Sequence, residues 1–178
     1  MKKLILLAAL AVSLAAGAAD DRFDKKGSPD SMMGFLAARD AVYVKECGSC
    51  HFAYSPGLMP ARSWMRVLER IEKHFGESVQ LDPAARAKLL AYLTANAADV
   101  SPYEGSKIFM ERVPASQTPY RLSNVLRFRE YHTVIREVIS TKTKVKVRTL
   151  TNCNACHQKA DDGSFALTEL YVPGLTGP

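Results

Sequence analysis

The sequence predicts a mainly α-helical protein, a small multi-helix fold with long loops between its helices. Two segments, residues 61–75 and 127–139, place apolar residues at helical spacing on one face and charged residues on the other. Two further helices begin at residues typical of helix N-termini, Asp82 and Ser101. The length of 178 residues and an apolar content of 47% allow one domain with its own core and exclude a disordered or low-complexity chain.

The first 18 residues have the features of a secretory signal peptide. Lys2 and Lys3 precede an apolar run over residues 4–16, and Ala16, Gly17 and Ala18 offer the small side chains of a cleavage site. The run is shorter than the about 20 residues of a membrane-spanning helix, although an uncleaved N-terminal anchor is the alternative. We expect cleavage after Ala18, which leaves residues 19–178 as a single exported domain with no transmembrane segment.

The predicted helices follow in order along the middle of the chain. In residues 61–75 the expected core face consists of Trp64, Val67, Leu68, Ile71, His74 and Phe75, with Gly76 as the helix stop. Asp82 and Pro83 predict an N-cap and first residue of a helix that runs to Ala97. Residues 101–104 have the spacing of a capping box and predict a helix that stops at Pro114.

The C-terminal half contains one more amphipathic helix and several irregular segments. In residues 127–139 the expected core face consists of Phe128, Tyr131, His132, Ile135, Val138 and Ile139. Residues 114–126 are loop-like. Residues 141–148 alternate cations with β-branched residues, which indicates an extended segment with one solvent-exposed side. Thr151 is the expected N-cap of a short helical turn, and the chain ends in an irregular tail.

All four cysteines belong to two copies of one motif, C-x-x-C followed directly by histidine. The first copy contains Cys47, Cys50 and His51, and the second contains Cys153, Cys156 and His157. This is the attachment motif of a c-type haem, in which both thiols form thioethers to one porphyrin and the histidine binds the iron. A zinc site would not require a histidine after each pair, and a thiol-redox motif would follow a strand in a βαβ pattern that is not visible here. We therefore predict a small multi-helix c-type cytochrome wrapped around two covalently attached haems.

The second axial position of each iron has few candidate ligands. Only His74 and His132 remain once the motif histidines are assigned, and both lie on the apolar face of a predicted helix, where an unpaired polar group is costly. Met59 is the competing ligand, because it follows His51 by eight residues within a Pro-Gly-rich stretch. Two histidines per iron predict a low-potential, six-coordinate haem without a vacant site, whereas methionine would raise the potential.

Three segments of the chain resemble the bacterial dihaem cytochrome c family, small exported electron carriers with two bis-histidine haems. They are ECGSCHFAYSPGLMPARSW (46–64), HFGESVQLD (74–82) and NCNACHQKADDGSF (152–165). The resemblance implies that His74 is the distal ligand of the first haem and His132 that of the second. It also implies redox partner proteins, among them a small oxygen-binding monohaem cytochrome. One departure is that the aromatic residue and proline expected just before the second distal histidine lie further upstream, as Pro119 and Tyr120, while Phe128 and Tyr131 flank His132.

Two functional classes remain open after these observations. The first is a non-enzymatic electron carrier, with a dihaem subunit of a periplasmic reductase as a variant of it. The second is a haem enzyme or sensor, in which one haem binds a small gas or peroxide. The number of histidines favours the carrier, whose donor we expect to be a redox protein such as a membrane cytochrome.

Charge does not point to nucleic acid as a partner. The formal net charge of +6 falls to +4 when Lys2 and Lys3 leave with the signal peptide, and the haem propionates offset what remains. Residues 121–148 nevertheless carry eight Lys and Arg against two Glu. Arg127, Lys142, Lys144, Lys146 and Arg148 are the centre of this basic segment, which is either a solvated face or a docking patch for an acidic redox partner.

Overall fold

The computed structural model describes residues 33–141 and 149–174. These residues form five α-helices, α1 (Ala41–Cys47), α2 (Ala61–Glu69), α3 (Pro83–Ala95), α4 (Glu104–Met110) and α5 (Leu126–Thr141), joined by loops that contain single turns of 3₁₀ helix. Helix α3 packs against both α2 and α1, and α4 packs against α5. The prediction of a mainly helical fold with long loops is confirmed. The signal peptide and the extended segment over residues 142–148 lie outside the described residues.

Helix α3 begins as the sequence predicts. The Asp82 carboxylate accepts hydrogen bonds from the backbone N–H groups of Ala84 and Ala85, both at 2.9 Å, and Pro83 is the first helical residue. The prediction of a capping box at residues 101–104 is wrong. The Ser101 hydroxyl accepts from the Tyr103 N–H at 3.3 Å, and Tyr103 itself occupies the N-cap position without a side-chain bond. Helix α4 then ends at Met110, one turn earlier than Pro114 predicts.

Residues 61–75 do not form one helix. Helix α2 ends at Glu69, and Ile71–Lys73 forms a 3₁₀ turn that leads into a tight turn at His74. His74 and Glu77 exchange both backbone hydrogen bonds, at 2.9 and 3.0 Å. Such a two-residue reversal requires positive φ at both central positions, and Phe75 and Gly76 have φ of 55° and 108°. The expected core face is confirmed as far as Ile71, but Phe75 is 40% exposed.

The other amphipathic segment does form the helix α5, with a narrower buried face than expected. Phe128 is buried, but Tyr131 is 47% exposed. Before the second motif, Asn152 and not Thr151 occupies the N-cap of the 3₁₀ turn Cys153–Ala155, and the Thr151 N–H donates to the Thr149 hydroxyl. No helix in the described part of the chain is long and apolar enough to cross a membrane.

The core is one continuous cluster of buried side chains that extends from Phe35 to Phe165. The ring of Phe35 lies edge-on to both Phe109 and Phe165, with centroid distances of 5.2 and 5.4 Å. The chain segment around Phe35 is also tied to the segment that follows the second motif, since the Phe35 N–H donates to the Gly163 carbonyl and the Phe165 N–H to the Met33 carbonyl, both at 2.9 Å. The core therefore touches the elements that carry both cysteine motifs.

Candidate functional site

The four histidines form two pairs of neighbouring imidazole rings, and each pair contains one motif histidine. His51 lies opposite His74, with 6.2 Å between ring centroids and 23° between ring planes. His132 lies opposite His157, also at 6.2 Å, with 67° between the planes. A metal bound to one nitrogen of each ring at about 2 Å places the ring centroids about 6 Å apart. Both separations therefore fit a single iron between each pair of imidazoles.

The His51 imidazole is fixed by its neighbours in the chain. Its Nδ1 donates to the carbonyl of Phe52 at 2.7 Å, which assigns the proton to Nδ1 and leaves the lone pair of Nε2 free for a metal. The ring of Tyr54 stacks on the His51 ring at 4.8 Å and 20°. Opposite it, the tight turn over residues 74–77 holds the backbone of His74, and the ring of Phe75 packs on the imidazole at 4.7 Å.

The second pair is held in a similar way by different elements. His132 lies on α5, and its Nδ1 donates to the Phe128 carbonyl one turn earlier at 2.8 Å, again leaving Nε2 free. The Phe128 ring stacks on the His132 ring at 4.1 Å. The backbone N–H of His157 donates to the Cys153 carbonyl at 2.8 Å, and the centroid of the Phe165 ring lies 5.1 Å from that of the His157 imidazole.

Burial lowers the pKa of three of these imidazoles and so favours their neutral form. It lowers the pKa of His157 to about 4, with a further contribution from His132, and it lowers the pKa of His74, with contributions from His51 and Arg121. Burial also lowers the pKa of His132, against the hydrogen bond to Phe128. Nδ1 of His74 and Nδ1 of His157 are buried, and neither has a hydrogen-bond partner among the residues that the structure describes. Neutral rings with available lone pairs are the form in which histidine binds a metal.

The four cysteines form no disulfide within the described part of the chain, and each pair lies beside its histidine. Cys47 is the last residue of α1 and Cys153 the first of a 3₁₀ turn. Burial raises the pKa of Cys47 to about 11 and that of Cys153 to about 12. A thiol-redox pair needs a lowered thiol pKa, so the surroundings of these thiols favour structural attachment. Across residues 33–141 and 149–174, no three His, Cys, Asp or Glu side chains are grouped as a metal site.

Met59 is in the hydrophobic core, with 3% of its surface exposed. It lies after the 3₁₀ turn Pro56–Leu58, and its carbonyl accepts from the Ala98 N–H at 2.9 Å. The position facing His51 is occupied by the ring of His74. Tyr120, which lies upstream of the position where the family resemblance implies an aromatic residue, packs on Phe75 at 4.8 Å, next to the first pair.

The two cysteine motifs lie on opposite sides of one cavity. A cavity of about 170 Å³ is lined on one side by residues of the first motif and those after it, and on the other by Asn154 and Asp161. Buried Tyr43, one turn before Cys47, donates its hydroxyl to the Tyr54 carbonyl at 2.7 Å. Sequence reasoning missed Tyr43, Tyr54 and Phe165, and the only sequence signal for Tyr54 is its position three residues after His51.

The chain is similar to known proteins over most of its length. The family described as dihaem cytochrome c matches residues 43–165. A solved diheme cytochrome c from Rhodobacter sphaeroides is 35% identical, with 73% of this chain and 99% of that chain covered and a TM-score of 0.63. The structure of the diheme cytochrome sb-DHC from Shewanella baltica OS155 is 30% identical, with 75% and 93% covered and a TM-score of 0.59. No functionally curated protein matches significantly.

Proposed function

Because this chain belongs to the dihaem cytochrome c family, we propose that it is a periplasmic electron carrier whose two haems are both six-coordinate and ligated by two histidines. The family implies two covalently bound c-type haems and a role in electron transfer. The thiols of Cys47 and Cys50 would hold one haem and those of Cys153 and Cys156 the other. When bound, each haem supplies an iron that takes up and releases one electron.

The equal spacing of the two histidine pairs supports bis-histidine ligation. At 6.2 Å each, the pairs His51–His74 and His132–His157 match the separation of two rings on one metal. If His51 and His74 hold one iron and His132 and His157 the other, neither iron would have a free position for a substrate. The expected chemistry is therefore the passage of electrons at low potential.

The polypeptide contributes by fixing the imidazoles in advance. The Phe52 and Phe128 carbonyls set the tautomer of His51 and His132, and stacked aromatic rings restrict rotation of the imidazoles. Burial lowers the pKa of His132 and His157 and so favours their unprotonated form at neutral pH. A ligand set that does not rearrange when the iron changes its charge suits electron transfer.

Ligand substitution tests this proposal. His74→Ala and His132→Ala should each convert one haem from low-spin to high-spin, seen in the visible spectrum and by EPR, and should make that haem bind carbon monoxide when reduced. Met59→Leu, which retains a buried apolar side chain, is the control and should leave both haems low-spin. Low-spin spectra in both histidine variants, or carbon monoxide binding by the reduced wild type, would contradict bis-histidine ligation.

We also propose that the chain is exported through residues 1–18 and that its partners are redox proteins. A small oxygen-binding monohaem cytochrome and a membrane cytochrome donor are the partners that the family resemblance suggests. In the described residues Arg127 is paired with Glu111 and Glu130, at 3.3 and 3.1 Å, so part of the charge of the proposed docking patch is neutralised. The patch then depends on Lys142, Lys144, Lys146 and Arg148, and the rate of electron transfer to an acidic partner should fall as salt rises.

A further inference from the structure

We propose that Tyr120 and three arginines beside it bind the propionate groups of the first haem, the haem of the first histidine pair. The arginines are Arg66, Arg70 and Arg121, and we call them together with Tyr120 the Tyr120 cluster. The inference rests on the proposed bis-histidine ligation and extends it to residues outside both cysteine motifs and both histidine pairs.

The Tyr120 cluster reaches the first histidine pair through the ring of Phe75. The Phe75 ring packs on the His74 imidazole, with 4.7 Å between the centroids, and the Tyr120 ring packs on Phe75 at 4.8 Å. The guanidinium carbon of Arg121 lies 4.0 Å from the centroid of the Phe75 ring. A porphyrin is wider than an imidazole, so side chains beside His74 lie near the rim of a haem that this histidine binds. The propionates are groups on that rim.

The Tyr120 hydroxyl lacks a hydrogen-bond partner within the protein. Its oxygen is buried and has no partner among the residues that the structure describes. A buried phenol usually bonds to an acceptor, because an unpaired hydroxyl loses its contacts with water without compensation. A carboxylate accepts a stronger hydrogen bond than a neutral oxygen does. A propionate is therefore a suitable acceptor for the Tyr120 hydroxyl.

The three arginines of the cluster supply the positive charge that an ionised carboxylate requires. The guanidinium carbons of Arg66 and Arg70 lie 5.9 and 5.3 Å from the centroid of the Tyr120 ring, as in a cation–π contact. All three arginines are exposed, and none forms an ion pair with another described residue. Because a contact with a ring leaves most N–H groups of a guanidinium free, these donors can bind a carboxylate.

The cluster should raise the midpoint potential of the first haem. Reduction removes one positive charge from the iron, so a nearby cation stabilises the reduced form. A hydrogen bond from Tyr120 reduces the negative charge that a propionate presents to the iron and acts in the same direction. Loss of either group should therefore lower the potential of the first haem and leave that of the second unchanged.

Tyr120→Phe and Arg121→Gln test the assignment in the complete dihaem protein. The matched controls are Tyr103→Phe, at the N-cap of α4, and Lys88→Gln, which removes an exposed cation from α3. Resonance Raman spectroscopy is the direct readout, because the bending bands of haem propionates shift when a hydrogen bond to the carboxylate is lost. Both test variants should shift such a band, and both controls should leave the bands in place.

EPR separates the two haems in a redox titration. Near-parallel imidazoles, as in the pair at 23°, favour a rhombic low-spin signal, and strongly tilted ones, as in the pair at 67°, favour a signal with a large maximum g value. In samples frozen at a series of potentials, each signal gives the midpoint potential of one haem. Each test variant should lower the potential of the first haem by about 20–40 mV, which corresponds to a change of about two- to fivefold in the reduction equilibrium, the effect of one exposed charge pair.

Unfolding of the holoprotein distinguishes a bonded Tyr120 hydroxyl from an unpaired one. If the hydroxyl donates to a propionate, Tyr120→Phe should lower the denaturation midpoint, because the carboxylate loses a donor. An unchanged or raised midpoint in Tyr120→Phe indicates that the hydroxyl was unpaired and contradicts the assignment.

The outcomes separate the propionate site from the ligation on which it rests. A high-spin first haem in the wild type contradicts the bis-histidine ligation itself. A low-spin wild type in which Tyr120→Phe and Arg121→Gln change neither the propionate bands nor the first potential overturns the propionate site alone, as does an equal shift in the controls. If Arg121→Gln then weakens the binding of flavodoxin, an acidic redox protein, the carboxylates that these arginines bind belong to a partner and the propionate site is wrong.

Discussion

Phe35→Leu should destabilise the protein and disturb the second haem site more than the first. The Phe35 side chain is 1% exposed, and its ring makes edge-on contacts with Phe109 and Phe165. Each aromatic pair contributes about 0.5–1.5 kcal/mol beyond the burial of its surface, so losing two pairs should lower the free energy of unfolding by about 1–3 kcal/mol. That is a large part of the about 5–15 kcal/mol that stabilises a typical domain.

The disturbance should reach the second site through a direct contact. The ring of Phe165 lies 5.1 Å from the His157 imidazole, so a shift of Phe165 into the space left by Phe35 changes the packing on that ligand. The stability is measured by denaturant unfolding of the holoprotein, and the sites are followed by their two EPR signals. We expect the signal of the His132–His157 site to change and that of the His51–His74 site to stay.

A core substitution far from the histidines provides the control for Phe35→Leu. Leu89 on α3 is fully buried. Leu89→Ala should lower the free energy of unfolding by about 2–5 kcal/mol and leave both EPR signals unchanged. If Phe35→Leu lowers the free energy of unfolding by less than about 1 kcal/mol, or changes only the EPR signal of the His51–His74 site, the reasoning is refuted.

Three further predictions concern a turn, a helix cap and pH. Gly163 has φ of 79°, and a Cβ there would collide with the Phe35 carbonyl oxygen, so Gly163→Ala should lower the free energy of unfolding by at least about 1–2 kcal/mol; an unchanged denaturation midpoint would contradict this. Asp82→Ala removes the cap of α3 and should cost about 1 kcal/mol, whereas Asp82→Asn should retain most of the stability. Burial lowers the pKa of His157 to about 4, so the unfolded chain binds more protons than the folded one between about pH 4 and 6.5. Stability should therefore fall as the pH is lowered through this window, and a constant denaturation midpoint from pH 7 to pH 4.5 would argue against a buried neutral His157.

Features that depend on neighbouring residues could be predicted from the sequence. Asp82 caps α3 because a carboxylate at that position is within reach of the next two N–H groups. The helical spacing of Trp64, Val67 and Leu68 likewise predicts their burial. The sequence did not show that this helix ends before Phe75. The turn at His74 is stabilised by its backbone hydrogen bonds to Glu77 and by the packing of Phe75 on Tyr120, and the second of these contacts forms only in the folded chain.

The sequence by itself determined that this protein attaches two haems, because each cysteine–histidine motif contains all its chemical groups within five residues. It also narrowed the distal ligands to His74, His132 and Met59. Only the tertiary structure decided that His74 faces His51 and that His132 faces His157. Those pairs join residues 23 and 25 positions apart, and distances across such separations are set by the packing of helices and loops. For the same reason, the stacking of Tyr54 on His51 became visible only in the folded chain.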